Sequence, residues 1–121
     1  MKLAITASGE SPDSLLDMRF GRAAYFIVFT LPEGTHEAFK NDCKLNAVQG
    51  AGIQAAEHVA NFGAEALITG HCGPKAFKAL SAAGVKVFCC ETDCKVSDAL
   101  GFFKAGNLKQ LSAPDVEGHW V

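Results

Sequence analysis

The sequence lacks any apolar run approaching the roughly 20 residues that a bilayer-spanning helix requires. Its first residues, Met1-Lys2-Leu3-Ala4-Ile5, hold one lysine and a brief apolar stretch. The longer apolar region and cleavage site of a secretory signal are missing, so cytoplasmic residence is the expectation. No excess of positive charge exists: 11 Lys and Arg stand against 13 Asp and Glu, a net charge of -2. A bulk field that would attract nucleic acid is thereby excluded, and so is a basic membrane-binding tail. Any anion must be held by local geometry. A chain of 121 residues also lacks the length for two independent cores, while 49% hydrophobic residues suffice for one.

What is present reads as alternating strands and helices. Lys2 to Ala7 is a short apolar strand ended by Ser8-Gly9. Glu10 to Met18 mixes Ser, Pro and Asp, which favours a loop. Ala24 to Thr30 is rich in aromatic and β-branched residues and predicts a second strand. Leu31-Pro32-Glu33-Gly34 predicts a turn into a more polar third strand, Thr35 to Lys40, at a sheet edge. Beyond Gln49-Gly50-Ala51-Gly52, the residues Ile53, Ala56, Val59, Ala60 and Phe62 recur at helical spacing, and Gly63 ends the pattern. Ala66 to Thr69 predicts a buried strand and Gly70-His71-Cys72-Gly73 a tight loop. A helix opens at Pro74, a residue suited to the first helical turn, and stops at Gly84. Val85 to Cys89 is a further strand and Val96 to Lys104 a last helix, followed by Gly106. Residues 107–121 show no period and are read as a tail beyond a single domain of residues 1–106. A leading hairpin followed by strand–helix–strand–helix order predicts an α/β fold: a mixed sheet, partly parallel, with helices on its faces.

Three segments carry candidate chemistry. Gln49-Gly50-Ala51-Gly52 and Gly70-His71-Cys72-Gly73 each precede a predicted helix. A helix N-terminus offers unpaired N–H groups and the positive end of its dipole, and glycine lets a ligand approach the backbone. One such end contributes only about 0.3–1 kcal/mol toward an exposed anion. Either loop alone is more simply a tight turn; two of them before helices in one sheet favour a binding site, at the carboxyl ends of the strands. The third segment is Asp17-Met18-Arg19-Phe20-Gly21-Arg22. Arg19 and Arg22 carry permanent charge and several donors suited to an anion of spread charge. Phe20 would pack over the ligand or anchor the loop, and Asp17 would hold one arginine by a salt bridge. A solvated loop is the commoner fate of an arginine pair.

The five cysteines, in a chain without a recognisable signal, do not suggest a disulfide framework. Cys72 and His71 lie inside a glycine loop, where thiolate suits soft metals and imidazole suits copper and iron. Both are candidate metal ligands, and a helix start would make the Cys72 thiolate more available. Simple space-filling by Cys72 and solvation of His71 are the alternatives. Cys89, Cys90 and Cys94 form C-C-x-x-x-C at a strand end, a spacing unlike zinc or iron-sulfur motifs. Adjacent strand residues point to opposite faces, so at most one of Cys89 and Cys90 faces a given pocket. A second metal or redox role and plain burial both remain open for them. Cys43 is read as incidental, and His36, His58 and His119 as solvated.

The segment Asp17 to Arg22, the run Gln49 to Glu57, and Gly73-Pro74-Lys75-Ala76-Phe77 together resemble the dinitrogenase iron-molybdenum cofactor family, which includes NifX and the C-terminal region of NifB. The resemblance runs from Met1 to about Phe103 and lies nearest the stand-alone branch, which includes the orange-protein type with a molybdenum-copper sulfide cluster. It implies a ribonuclease H-like fold and a non-catalytic role in binding or transferring an anionic metal-sulfur cluster of molybdenum, iron or copper. The candidate cofactor-binding residues are Ser8, Arg19, Phe20, Gly21, Arg22, Gly50, Ala51, Gly52, Gly70, His71, Cys72 and Gly73, with Cys72 and His71 as metal ligands. Implied partners are cluster donor and acceptor proteins and a MinD-type ATPase, with neither nucleic acid nor membrane.

Competing activities find less support. Ribonuclease H-type catalysis needs clustered carboxylates on central strands to hold two metals. Lys2 to Ala7 and Leu67 to Thr69 contain none. A thiol enzyme with Cys72 as nucleophile and His71 as base would need two adjacent loop residues to reach one another, and no third orienting residue can be named. Phosphate or nucleotide binding would use the same helix ends, but G-x-x-x-x-G-K-[ST] and G-x-G-x-x-G are both missing.

Overall fold

In the computed structural model, residues 1–41, 51–90 and 93–111 are described. Strand β1 (Lys2–Ala7) is buried along nearly its whole length, because it lies inside the sheet with both faces covered. The hairpin strands β2 (Tyr25–Thr30) and β3 (Thr35–Lys40) follow, then α1 (Ala51–Asn61), β4 (Ala66–Thr69), α2 (Pro74–Ala82), β5 (Lys86–Cys89), α3 (Val96–Lys104) and β6 (Lys109–Gln110). The six strands form one sheet in the order β3-β2-β1-β4-β5-β6. β1 is parallel to β4, and β4 to β5. The pairs β1–β2, β2–β3 and β5–β6 are antiparallel. The expected mixed α/β sheet is therefore present.

Period-two alternation divides the apolar residues between two cores. Ala4, Phe26, Val28, Leu67 and Val87 point to one face, where Ala55, Ala56 and Val59 of α1 and Ala76 and Leu80 of α2 cover them. Leu3, Ile5, Ile27, Phe29 and Ile68 point to the other, under Val96 and Ala99 of α3. Fully burying a large apolar side chain contributes about 1.5–3 kcal/mol. Two faces lined by such residues fix the register, since a slip of one position would exchange the two sets.

The β2–β3 turn needs its glycine: Gly34 adopts φ +82, a left-handed conformation that L side chains rarely take. Polar, exposed β3 lies at the sheet edge as expected. Two expectations change. Strands β2 and β5 begin at Tyr25 and Lys86 rather than Ala24 and Val85, within the usual variation of element ends. The tail was expected to lack regular structure from Asn107 onward, yet Lys109 and Gln110 pair with Cys89 and Phe88. Two residues are too short to leave a sequence period. No described helix is long and apolar enough to cross a membrane.

Helix directions converge on one end of the sheet. The end of α1 lies near the start of β1, where Lys2 Nζ donates to the Phe62 carbonyl at 3.3 Å. α1 therefore starts toward the opposite end, where Ala7 pairs with Tyr25 and Tyr25 with Lys40. α2 begins directly after the carboxyl end of β4 and returns to β5, whose first residue Lys86 pairs with Ala66. Both helix N-termini thus belong to the carboxyl end of β1 and β4.

Candidate functional site at the carboxyl end of the central strands

At that end, the segment after β1 is stapled to its neighbours by main-chain bonds. Ala7 bridges Leu16, Leu15 bridges Lys95, and Arg19 bridges His71 in parallel register. The His71 N–H donates to the Met18 carbonyl at 2.7 Å, and the Phe20 N–H donates to the His71 carbonyl at 3.3 Å. The Asp17 N–H donates to the Thr6 carbonyl at 3.0 Å. The Thr6 hydroxyl donates to the Asp17 carbonyl at 2.7 Å and is bonded to the buried Thr69 hydroxyl at 3.0 Å. A buried hydroxyl left unpaired would cost about 1–3 kcal/mol, so these two threonines tie the loop to β1 and β4 in a single arrangement.

Leu16 and Met18 belong with the α3-side core, whereas Phe20 belongs with the α1/α2-side core. The chain therefore crosses over the end of the sheet between them. Its crossing point is Gly70, where an added Cβ would lie 2.6 Å from Met18 Cα and 2.7 Å from its carbonyl oxygen. Gly70 must stay small because the protein's own Met18 backbone presses on it.

Alternation sorts the side chains of the two bridged segments. Arg19 is exposed and His71 partly exposed, while Phe20 and Cys72 are fully buried. The predicted residues do not therefore share one surface. Phe20 anchors the loop in the core, with its ring 6.0 Å from that of Phe26. Cys72 is in the same cluster, its sulfur 3.8 Å from the Gly73 carbonyl, and ligation by it would require the loop to open. Asp17 does not take the expected salt bridge: its Oδ1 accepts the Arg19 backbone N–H at 3.1 Å, a turn that shapes the loop. Among the described residues, no ion pair engages the Arg19 or Arg22 side chain.

The remaining predicted positions divide similarly. Ser8 is exposed at the end of β1, and its N–H donates to the Leu15 carbonyl at 2.9 Å. Gly21 is buried beside exposed Arg22. Gly73 caps α2 without a side chain, and Pro74 at the first helical position has no N–H. The first-turn donors of α2 are then those of Lys75 and Ala76. No acidic residue lies in that turn, and Lys75 is exposed there. Ala51 and Gly52 open α1; Gly50 lies outside the described residues.

Three features escaped the sequence. Thr6 and Thr69 read as ordinary strand residues, and their contact depends on the β1–β4 pairing. The Tyr25 hydroxyl is hydrogen-bonded to Glu10, whose carboxylate raises the phenol above its ordinary 10.0; the negative charge and burial add to the shift. His58, expected to be solvated, has its Nε2 buried with no hydrogen-bond partner among the described residues. Among those residues, no group of three or more His, Cys, Asp or Glu could hold a metal ion.

The model of the family described as dinitrogenase iron-molybdenum cofactor matches residues 1–106. The chain belongs to this family. Among solved structures, this family member is similar to the apo form of the orange protein from Desulfovibrio gigas, with 40% identity and a TM-score of 0.90. That match covers 95% of this chain and 96% of the other. It is also similar to a NifB-like protein from Thermotoga, with 32% identity and a TM-score of 0.82 over 97% and 98% of the two chains. An uncharacterised protein of Methanocaldococcus jannaschii is 26% identical over 92% of each chain. The family is associated with binding or carrying a cofactor rather than with catalysis.

Proposed function

We propose that this protein binds and carries an anionic metal-sulfur cluster of the molybdenum, iron or copper sulfide type, without catalytic turnover. One observation supports the reading most: the Arg19–His71 bridge joins the arginine loop to the loop that opens α2. Arg19, Arg22 and Lys75 are exposed, and His71 is partly exposed. A metal-sulfide anion spreads its charge over several sulfur atoms, and guanidinium groups match such a surface better than a compact ammonium does. Holding the cargo by charge also suits a carrier, because it leaves the metals' own ligands intact for transfer. Among the described residues, His71 is the imidazole in the bridged loops and the candidate for direct ligation. Cys72 and Phe20 form the floor beneath it, and Gly21, Gly70 and Gly73 set the path of the two loops. Ser8 and the start of α1 complete the same end of the sheet. Transfer would require donor and acceptor proteins, with a MinD-type ATPase as one candidate partner, and a cytoplasmic setting.

The test is retention of cargo. Apo protein is mixed with tetrathiomolybdate and Cu(I), desalted, and assayed for metal and visible absorption. A coloured, metal-retaining complex is expected. Arg19→Gln and Arg22→Gln should each weaken retention about tenfold, the equivalent of roughly 1.4 kcal/mol. A colourless protein, or arginine variants that retain the cluster fully, would overturn the reading.

A further inference from the structure

The sulfur atoms of Cys90 and Cys94 lie 3.5 Å apart at the junction of β5 and α3, on the α3 side of the sheet. Neither belongs to the arginine and histidine surface. Cys90 is 2% exposed and Cys94 partly exposed, so a reagent can reach one thiol of the pair from solvent. Both main chains are pinned. The Cys90 N–H donates to the Thr69 carbonyl at 2.9 Å, and the Cys94 carbonyl accepts the Leu16 N–H at 2.8 Å. The neighbouring thiol does not compete: the Cys89 sulfur donates to the Gly70 carbonyl at 2.8 Å. A disulfide bond is about 2.05 Å long, so closure requires the two sulfurs to approach by about 1.5 Å. Side-chain rotation within a fixed frame supplies movement of that size.

We propose that Cys90 and Cys94 form a thiol–disulfide couple, a modification site that a low-molecular-weight disulfide oxidises. Cys94, the more exposed, reacts first. Its thiolate attacks one sulfur of the reagent, the reagent's S–S bond breaks, and the released thiolate takes up the proton that Cys94 gave to solvent. The Cys90 sulfur, losing its proton, then attacks the Cys94 sulfur and expels the second reagent thiol. One S–S bond forms in the protein and one breaks in the reagent; the pair loses two electrons, and two reagent thiols are made. The nucleophile is the thiolate, and burial together with the hydrogen bond to Cys90 pushes the Cys94 thiol up to about 12, with Asp98 and Asp93 adding to the shift. Oxidation at neutral pH is accordingly slow and accelerates about tenfold per pH unit while the thiolate remains scarce.

The experiment uses the full chain. It is incubated with oxidised glutathione at mildly alkaline pH, alkylated, digested with trypsin and analysed by mass spectrometry. Cleavage after Lys86 and Lys95 gives fragment 87–95, which contains Cys89, Cys90 and Cys94. The expected product is that fragment lighter by two hydrogens, with one thiol alkylated and full alkylation restored by dithiothreitol. Cys89→Ala should still show the loss. Cys90→Ala and Cys94→Ala, with circular dichroism confirming their folding, should show glutathione adducts in its place. Wild-type protein that gives only such adducts would overturn the proposal, as would the same loss in Cys90→Ala or a linkage that runs to Cys43.

Discussion

Arg19 and His71, far apart in sequence, lie side by side as a parallel β-bridge, and the bridge requires that Gly70 carry no side chain. A Cβ at Gly70 would sit 2.6 Å from Met18 Cα, a contact with backbone that no rotamer change can relieve. Gly70→Ala should therefore push the Asp17–Arg22 segment off β4. We expect a loss of roughly 1–3 kcal/mol in urea unfolding, the usual cost of overpacking. Hydrogen exchange at the His71 amide should accelerate more than at the Ile68 amide, because the His71 N–H donates to Met18 itself. Equal protection of His71 in variant and wild type would contradict the account.

Phe20 and Arg19 are neighbours with opposite tasks, and one pair of variants separates them. Phe20→Ala removes a fully buried ring beside Phe26 and should cost about 3–5 kcal/mol. Arg19→Gln changes an exposed side chain and should stay within about 0.5 kcal/mol. Cluster retention should respond in the reverse sense, with folded Arg19→Gln losing cargo at unchanged stability. Denaturant titration of both variants, alongside the desalting assay, checks each half.

Much of the architecture could be read from the chain because its signals are local. Lys2 to Ala7, Thr35 to Lys40, Ala66 to Thr69 and Val96 to Lys104 have the same ends in sequence and structure. The Gly70 loop and the arginine segment were also visible, but their roles were not. Whether Cys72 and Phe20 face solvent or core depends on which loop lies against which. That contact joins residues on either side of a hairpin and a helix, so no window of sequence contains it. The same reason hid the Thr6–Thr69 contact. The Cys90–Cys94 approach lies within one short window, but the spacing alone does not show which way the two side chains turn at the strand end. Local sequence likewise did not show the burial of Cys72: it lies in a glycine loop just before a helix, yet its side chain is in the core.

The phenol of Tyr25 provides a local probe of the site's rim. Its hydrogen bond to Glu10 holds the proton, so ionisation should begin above the ordinary 10.0 when followed by tyrosinate absorbance. As the chain's one tyrosine, it gives an unmixed signal. Glu10→Gln removes the carboxylate charge and should bring the titration back down toward 10.0. A variant that titrates with the wild type would mean that Glu10 does not hold the phenol.

Alkaline unfolding should report Cys94. Its thiol is raised from 9.0 to about 12 in the folded chain, first by burial and then by the hydrogen bond and charge of Cys90, with Asp98 and Asp93 contributing. The folded state thus holds this proton more tightly than the unfolded state does. Below pH 9 both states are protonated and the stabilisation is fully present. Above it the unfolded chain ionises first, so stability falls as pH rises from about 9 toward 12. Lys95 is exposed next to Cys94. Cys94→Ala removes the titrating group and should flatten the decline, while Cys89→Ala should leave it in place. Urea midpoints measured across this range for the three proteins under reducing conditions decide the point; a wild-type slope unchanged in Cys94→Ala would assign the alkaline loss to other groups.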